Sequence, residues 1–457
     1  IPTEDGNTRW LPVHCAGSHL SQQGYAMPTD LARRALLRRT LALSAAAAAA
    51  PAITMGANGS ITAGLPTTPA NAQFWERVRE QYWLPDDIAQ LENGNWGVMA
   101  RPVLEAYNRH TFQVNRDASY FSRRELYPEL EAIRTEVAQL LGASPDEVAF
   151  ARGATEVLQN LISGYQRLKP GDAVMYADVD YDSMQSAMAW LQERRGVALR
   201  TIDLPERASQ AQLLETYRAA LDANPNVRLL LLTHISHRHG MLIPVRDIVA
   251  MARERGVDCI VDAAHSWGQM DFTVADLQAD FIGFNLHKWM GAPIGVGVMY
   301  IRRERLDAIA PYLGERDVPE DDIRSRIHTG TSNYAALLSV PDALAFHRQI
   351  GADNKAARLA ELRSYWVQRA ADIPGVEVLT LNSAEDHAGI SAFRLRGERT
   401  PAGNRAIAQR LLDRYGVFTV HRTGLAGGAC VRVTPAVFTR FAELDRLLIG
   451  LKDLATA

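Results

Sequence analysis

Lysine is scarce in this chain: of 49 basic residues only Lys169, Lys288, Lys355 and Lys452 are lysines, and the rest are arginines. Arginine stays protonated at biological pH and does no amine chemistry, whereas a desolvated lysine can shed its proton and form a Schiff base. Cysteine is scarcer still. Cys15, Cys259 and Cys430 are odd in number and form no CxxC pair, so neither a cysteine zinc site nor a disulfide framework is indicated. No apolar run of 18 or more residues occurs in the body of the chain, and no membrane span is expected in the mature form. Excess charge of one sign is absent too: a net charge of −3 gives no general reason to expect nucleic acid or an anionic membrane.

What is present is a chain of 457 residues, long enough for two packed domains, in which one lysine stands apart. Lys169 sits in a Leu-Lys-Pro-Gly-Asp turn, Lys355 in a polar helical run and Lys452 near the end. Lys288 lies in Phe281-Ile-Gly-Phe-Asn-Leu-His-Lys-Trp-Met-Gly-Ala-Pro-Ile-Gly-Val-Gly-Val-Met-Tyr300, an apolar stretch whose glycines admit close backbone approach. Such a setting suits a lysine that holds a carbonyl cofactor.

Residues 1–26 show no periodicity, and Met27 reads as a start, which makes them upstream sequence. Arg33-Arg34 and Arg38-Arg39 follow, then Thr40-Leu-Ala-Leu-Ser, a run of alanines to Ala50 and Pro51. A basic region, a short weakly apolar core and small residues describe an export signal, here of twin-arginine type over 27–60. The expected location is the periplasm, or the cytoplasm if that reading fails.

Beyond a Gly-, Pro- and Thr-rich linker at 51–70, helical and strand patterns alternate. Helical spacing runs from Tyr127 to Leu141 and stops at Gly142. Short apolar runs at 148–151, 173–177, 227–233 and 257–262 read as buried parallel strands in βαβ units, and a strand near Val296 to Ile301 closes the region. After Pro341 come long helices (342–371) and then short strands around 376–379, 390–395 and 430–434. The expected division is a linker and N-terminal segment of the small domain over 61–110, a large α/β domain over 111–340, and a small α+β domain over 341–457.

Candidate chemistry converges on Lys288. Asp262, in Cys259-Ile-Val-Asp-Ala-Ala-His265, ends a buried strand, where a carboxylate remains ionised if it meets a cation such as a protonated pyridine nitrogen. Taken alone, a strand-end Asp more often caps the next turn. Arg152-Gly-Ala-Thr155-Glu156 places small residues and a hydroxyl at a helix start, whose free N–H groups and dipole suit a phosphate. An ordinary helix start has the same composition.

The order Ala154-Thr155-Glu156, Asp262-Ala-Ala-His265, His287-Lys288, Gly330-Thr331 and Val431-Arg-Val-Thr434 resembles the class V aminotransferase family of fold-type I pyridoxal 5'-phosphate enzymes, from about residue 90 onward. The resemblance implies a large, mostly parallel seven-stranded sheet domain with a smaller C-terminal α+β domain. It makes Lys288 the Schiff-base lysine, Asp262 the partner of the pyridine nitrogen and His265 the neighbour of the ring hydroxyl. Ala154, Thr155, Asn285 and His287 fall on the phosphate loop. Gly330 and Thr331 match a segment that reaches the phosphate of a neighbouring subunit, which implies a homodimer with shared sites. Tyr181 falls where an aromatic ring stacks on the cofactor and is a candidate second acid. Arg432 matches the grip on the substrate carboxylate, and Asn95, in Asn95-Trp-Gly97, a substrate-side segment. His237 aligns with a family Asn near the ring. His234, His237 and His239 together also have a metal-like spacing, but no carboxylate ligands stand at matched distance, and no metal is expected.

Cysteine desulfurases in this family need a nucleophilic cysteine, and Gly427 stands where one branch carries it. The short connection from Arg422 to Arg432 looks most like the isopenicillin N epimerase-like group. The implied activity is abstraction of the α-proton of an amino acid or amino-acid-derived amine, leading to epimerisation or transamination. Two alternatives stay open here: modification of a glutamyl group on a peptide siderophore by an exported enzyme like that of pyoverdine maturation, and a non-catalytic binding protein on the same fold.

Overall fold

The computed structural model describes residues 71–456. The expected upstream segment, the export signal and the linker at 51–70 lie outside these residues. Strand β1 (Ala89–Gln90) is followed by the helices Arg101–Arg124 and Leu126–Leu141, the second ending at Gly142 as its spacing requires. Seven strands then build the large sheet: β2 (Val148–Ala151), β3 (Ala173–Ala177), β4 (Ala198–Ile202), β5 (Val227–Thr233), β6 (Asp258–Asp262), β7 (Phe281–Asn285) and β8 (Gly297–Ile301). Their spatial order is β2-β8-β7-β6-β5-β3-β4. Only β8 runs antiparallel to its neighbours, β2 and β7; the other pairings are parallel.

Strand β5 shows why these sequences read as continuous apolar runs. Leu229 and Leu231 enter the core on one face of the sheet, and Leu230 and Leu232 the core on the other. Side chains alternate with period two, so a strand covered on both faces is apolar at every position. The edge strand β4 reads Ala-Leu-Arg-Thr-Ile and is only partly covered, so no apolar run betrayed it.

The remaining strands, β9 (Val376–Val378), β10 (Ser391–Leu395), β11 (Val417–Phe418), β12 (Val420–Arg422) and β13 (Cys430–Val433), follow the large sheet in the chain. Four of them form an antiparallel sheet in the order β12-β13-β10-β9, while β11 pairs in parallel with β1. A separate core of Leu362, Trp366, Phe393, Leu411 and Leu447 holds this region together.

Two expectations change, the boundary at 110/111 and the setting of Lys355. The boundary at 110/111 falls inside the helix Arg101–Arg124, which packs on the helices Tyr334–Leu338 and Val340–Ile350. The long helices expected after Pro341 are Val340–Ile350 and Ala352–Ala371, parted at Gly351. Lys355 is not in a bland surface setting: it is buried, and its Nζ donates to the backbone carbonyl of Trp289. Among the described residues no helix is long and apolar enough to cross a membrane.

Candidate active site

The parallel strands β5, β6 and β7 end side by side, and their last residues, Thr233, Asp262 and Asn285, open onto one cavity of about 670 Å³. Ligands of open α/β sheets bind at the carboxyl ends of the strands, because the loops there diverge. The cavity brings together Asn95, Ala154, Thr155, Tyr181, His237, Asp262, His265, Asn285, His287, Lys288 and Arg432, all singled out from the sequence. Gly330 and Thr331 are exposed in a loop and do not line it.

Lys288 follows β7 by three residues, and its Nζ lies 2.8 Å from His265 Nε2. Burial pushes its amine down to about 8; Asp262 opposes that shift, and Arg432 and Arg422 add to it. Asp262 is buried at the end of β6, where Oδ1 accepts the Ala264 N–H at 2.9 Å. This is the turn contact expected of a strand-end Asp, but the carboxylate also lines the cavity. Burial pushes its pKa up, the Ala264 N–H and Lys288 pull it down, and no basic side chain is hydrogen-bonded to it among the described residues. A cationic ring nitrogen in the cavity would supply that missing partner.

The phosphate end has a similar logic. The helix Ala154–Gly164 points its N-terminus into the cavity. Asn285 Oδ1 accepts the Ala154 N–H at 2.7 Å, so Asn285 anchors this helix start. Glu156 is occupied by Arg152, to which it is ion-paired. His287 Nδ1 lies 3.1 Å from the Val296 carbonyl. A carbonyl only accepts, so Nδ1 carries the proton and Nε2 donates to an anion only when the ring is fully protonated. Burial holds the His287 pKa down in the absence of an anion. The donor set thus fits an aldehyde cofactor with a phosphate at one end and a protonated ring nitrogen at the other.

Tyr181 also lines the cavity; it is partly exposed and meets His237 edge-on, with ring centroids 5.1 Å apart. The His237 ring lies nearly parallel to that of His265, at 6.4 Å. His234 and His239 turn away: His234 packs edge-on to Phe272, and His239 Nδ1 is 3.0 Å from Ser236 Oγ. Among the described residues no group of three His, Cys, Asp or Glu is arranged for a metal ion. Gly97 donates its N–H to the His287 carbonyl at 2.9 Å, and a Cβ there would lie 2.0 Å from the Lys288 carbonyl oxygen. Glycine is required for the Asn95-Trp-Gly97 segment to sit against the lysine's backbone.

Several residues of the site were not read from the sequence. Glu92 is buried, and both of its oxygens accept from Arg432 Nη2, at 2.6 and 2.8 Å. Arg432 Nη1 donates to the His237 carbonyl at 2.6 Å, so much of the fork expected to grip a substrate is already engaged. Arg422 reaches the same Glu92 at 3.3 Å and lines the cavity; burial, with Arg432 beside it, brings its pKa down to about 10. Asp180 is fully buried, takes the Thr233 hydroxyl at 2.6 Å and is pushed up to about 7 by burial. Only Arg422 had a signal, since it opens the stretch compared with desulfurases. Glu92 lies 340 residues from Arg432, and nothing local marks it.

Comparison with known proteins agrees with this geometry. The chain is 28% identical to isopenicillin N epimerase of Amycolatopsis lactamdurans over 404 residues, covering 84% of this chain and 99% of that one. It is 27% identical to a cysteine desulfurase of Pectobacterium atrosepticum over 410 residues, covering 83% and 97%. Two solved structures share the fold with a TM-score of 0.71 and 22% identity. One is a C-DES mutant with glycine covalently linked to its PLP cofactor (82% of this chain, 99% of that one), the other apo cysteine desulfurase from Thermococcus onnurineus (83% and 98%). The aminotransferase class-V family model matches residues 98–444, and the chain therefore belongs to this family of pyridoxal 5'-phosphate-dependent enzymes.

Proposed function

We propose that the protein acts on the α-amino group of an amino acid or amino-acid-derived substrate by removing its α-proton, in the manner of an epimerase or aminotransferase and not of a desulfurase. The observation that carries this reading is the composition of the cavity: Lys288 and Asp262 line it, and among the described residues no cysteine does. Cys259 and Cys430 are both buried; burial pushes the Cys430 thiol up to about 12, and its Sγ faces the Arg238 carbonyl at 3.8 Å. Reactive cysteines need thiolate character and access, and these two have neither.

Pyridoxal 5'-phosphate, when bound, supplies an electron sink for the charge left by the departing proton. The chain's residues do the rest. Asp262 stands ready to hold a cationic ring nitrogen, and the helix start at Ala154 and Thr155, with His287, to hold the phosphate. Lys288, its amine lowered into the physiological range, serves as base. Tyr181, which lines the cavity beside His237, is the proposed acid that returns a proton to the other face. Arg432 and Arg422 supply positive charge for the substrate carboxylate, with Glu92 neutralising one of the two.

Incubation of the holoenzyme in D2O with a panel of amino acids tests this. Exchange of the α-proton without sulfide release from cysteine is expected, and sulfide release at comparable rate would overturn the reading. The exposed Gly330-Thr331 loop further supports a homodimer in which this loop completes the partner's site. Full activity in a monomer defined by sedimentation would contradict that. Export is proposed from the arginine pairs at 33–34 and 38–39, and unchanged periplasmic yield after their replacement by lysine pairs would refute it.

A further inference from the structure

Trp289, the residue after the reactive lysine, is buried, and its indole Nε1 lies 3.3 Å from His265 Nδ1. An indole N–H can only donate, so Nδ1 must present its lone pair. His265 is itself buried, and burial holds its pKa well below the usual histidine range, so the ring is neutral. A neutral imidazole with a lone pair on Nδ1 carries its proton on Nε2. That nitrogen is the one 2.8 Å from Lys288 Nζ. One proton can lie between them, and the histidine already owns it.

We propose that Trp289 is a positioning residue: by donating to His265 Nδ1 it fixes the Nε2–H tautomer, which donates to Lys288 Nζ and holds that amine in its uncharged, nucleophilic form. A lysine ammonium has three donors and no lone pair, so it would face the Nε2–H as donor against donor. With the opposite tautomer, Nε2 would accept from the ammonium and stabilise it. The choice of tautomer therefore sets how much free amine is present to bond the cofactor aldehyde.

The rest of the structure keeps Trp289 in that place. Lys355, from the helix Ala352–Ala371, donates its ammonium or amine hydrogen to the Trp289 carbonyl. On the other side, Gly268 lies three residues after His265, in the turn that follows. It has φ +82°, and a Cβ there would lie 2.6 Å from Met290 N and 2.8 Å from Trp289 C. The absence of a side chain at 268 lets the two segments meet closely enough for the indole to reach the imidazole. Other charges facing Lys288 do not set the tautomer. Asp262 and Glu92 favour its protonation, Arg432 and Arg422 oppose it, and His237, stacked on His265, is held neutral by burial.

This inference rests on Lys288 being the reactive amine, but its first readout needs no catalysis. Two-bond proton–nitrogen spectra of cofactor-free enzyme labelled with ¹⁵N-histidine report each tautomer, with the His265 signal assigned by its loss in His265→Gln. The Nε2–H tautomer is expected in the wild type. Trp289→Phe keeps a ring and removes only the donor, and it should admit the Nδ1–H tautomer. It should also raise the pH midpoint for uptake of pyridoxal 5'-phosphate by the cofactor-free enzyme by about one unit, a tenfold slower uptake at fixed pH below the midpoint. Nδ1–H in the wild type would overturn the proposal without any variant, even if Trp289→Phe fails to fold. An unchanged tautomer and midpoint in a folded Trp289→Phe would overturn it as well. Failure of the functional reading is distinct: the wild type would then take up no cofactor on Lys288, while the tautomer remained readable.

Discussion

Two of the four lysines, the half-buried Lys288 and the buried Lys355, lie next to Trp289 and differ in what they face. Burial lowers both amines, Lys288 to about 8 and Lys355 to about 7. Lys288 faces a cavity of about 670 Å³ with an acid, imidazoles and a helix start around it. Lys355 touches the Trp289 carbonyl and does not line that cavity; it borders a pocket of about 30 Å³ with Tyr82, Phe346 and Phe438, which Lys288 reaches as well. A depressed pKa therefore does not single out a reactive lysine. Access and partners do, because an amine bonds an aldehyde only where the aldehyde fits.

Exchanging the two lysines should give effects of very different size. Lys288→Ala should abolish covalent cofactor attachment and slow α-proton exchange by about 10³-fold or more, since base and anchor go together. Comparable exchange by this variant, measured by NMR in D2O, would move the chemistry elsewhere. Next in size, Asp262→Ala should retain cofactor but reduce exchange on the order of 10²–10³-fold, because the ring nitrogen loses its counter-charge. Near-normal exchange would reduce Asp262 to the cap that the Ala264 contact describes.

Glu92→Ala probes the neighbouring ion pair and should act chiefly on stability. Removing one partner of a buried pair leaves Arg432 uncompensated, at a cost of about 3–5 kcal/mol in denaturant unfolding. An unchanged midpoint would show that solvent reaches the pair.

The smallest effect is expected at Lys355, and it depends on pH. Its folded pKa, about 7, lies below the ordinary lysine value of 10.5. Between those values the unfolded chain binds the extra proton, so this residue's contribution to stability rises with pH across that window. Below about 7 both states are protonated, and the penalty of the buried charge is fully present. Lys355→Met should abolish this slope while leaving cofactor attachment intact. Equal wild-type and variant slopes between pH 7 and 10 would contradict the burial account.

The same contrast explains what the sequence made legible. Lys288 was readable from its rarity and apolar setting, and Asp262 because it ends a local apolar run, which parallel strands carry to a common edge. His265, Asn285 and His287 were named through the resemblance to the family. Lys355 was misread because Asp353-Asn-Lys-Ala looks like a solvated helix face, whereas the helix is packed so that Lys355, Arg358 and Arg363 are all buried. Glu92 was invisible for another reason: its meaning depends on β13, and Thr434 beside it, arriving from the far end of the chain. The edge strand β4 lacked an apolar signature because half of it faces solvent.

Borohydride reduction of the cofactor-loaded enzyme, followed by peptide mapping, tests most directly the claim that access and not burial selects the reactive lysine. The pyridoxyl label is predicted on Lys288 alone. A label on Lys355, the more strongly depressed amine, would contradict the account.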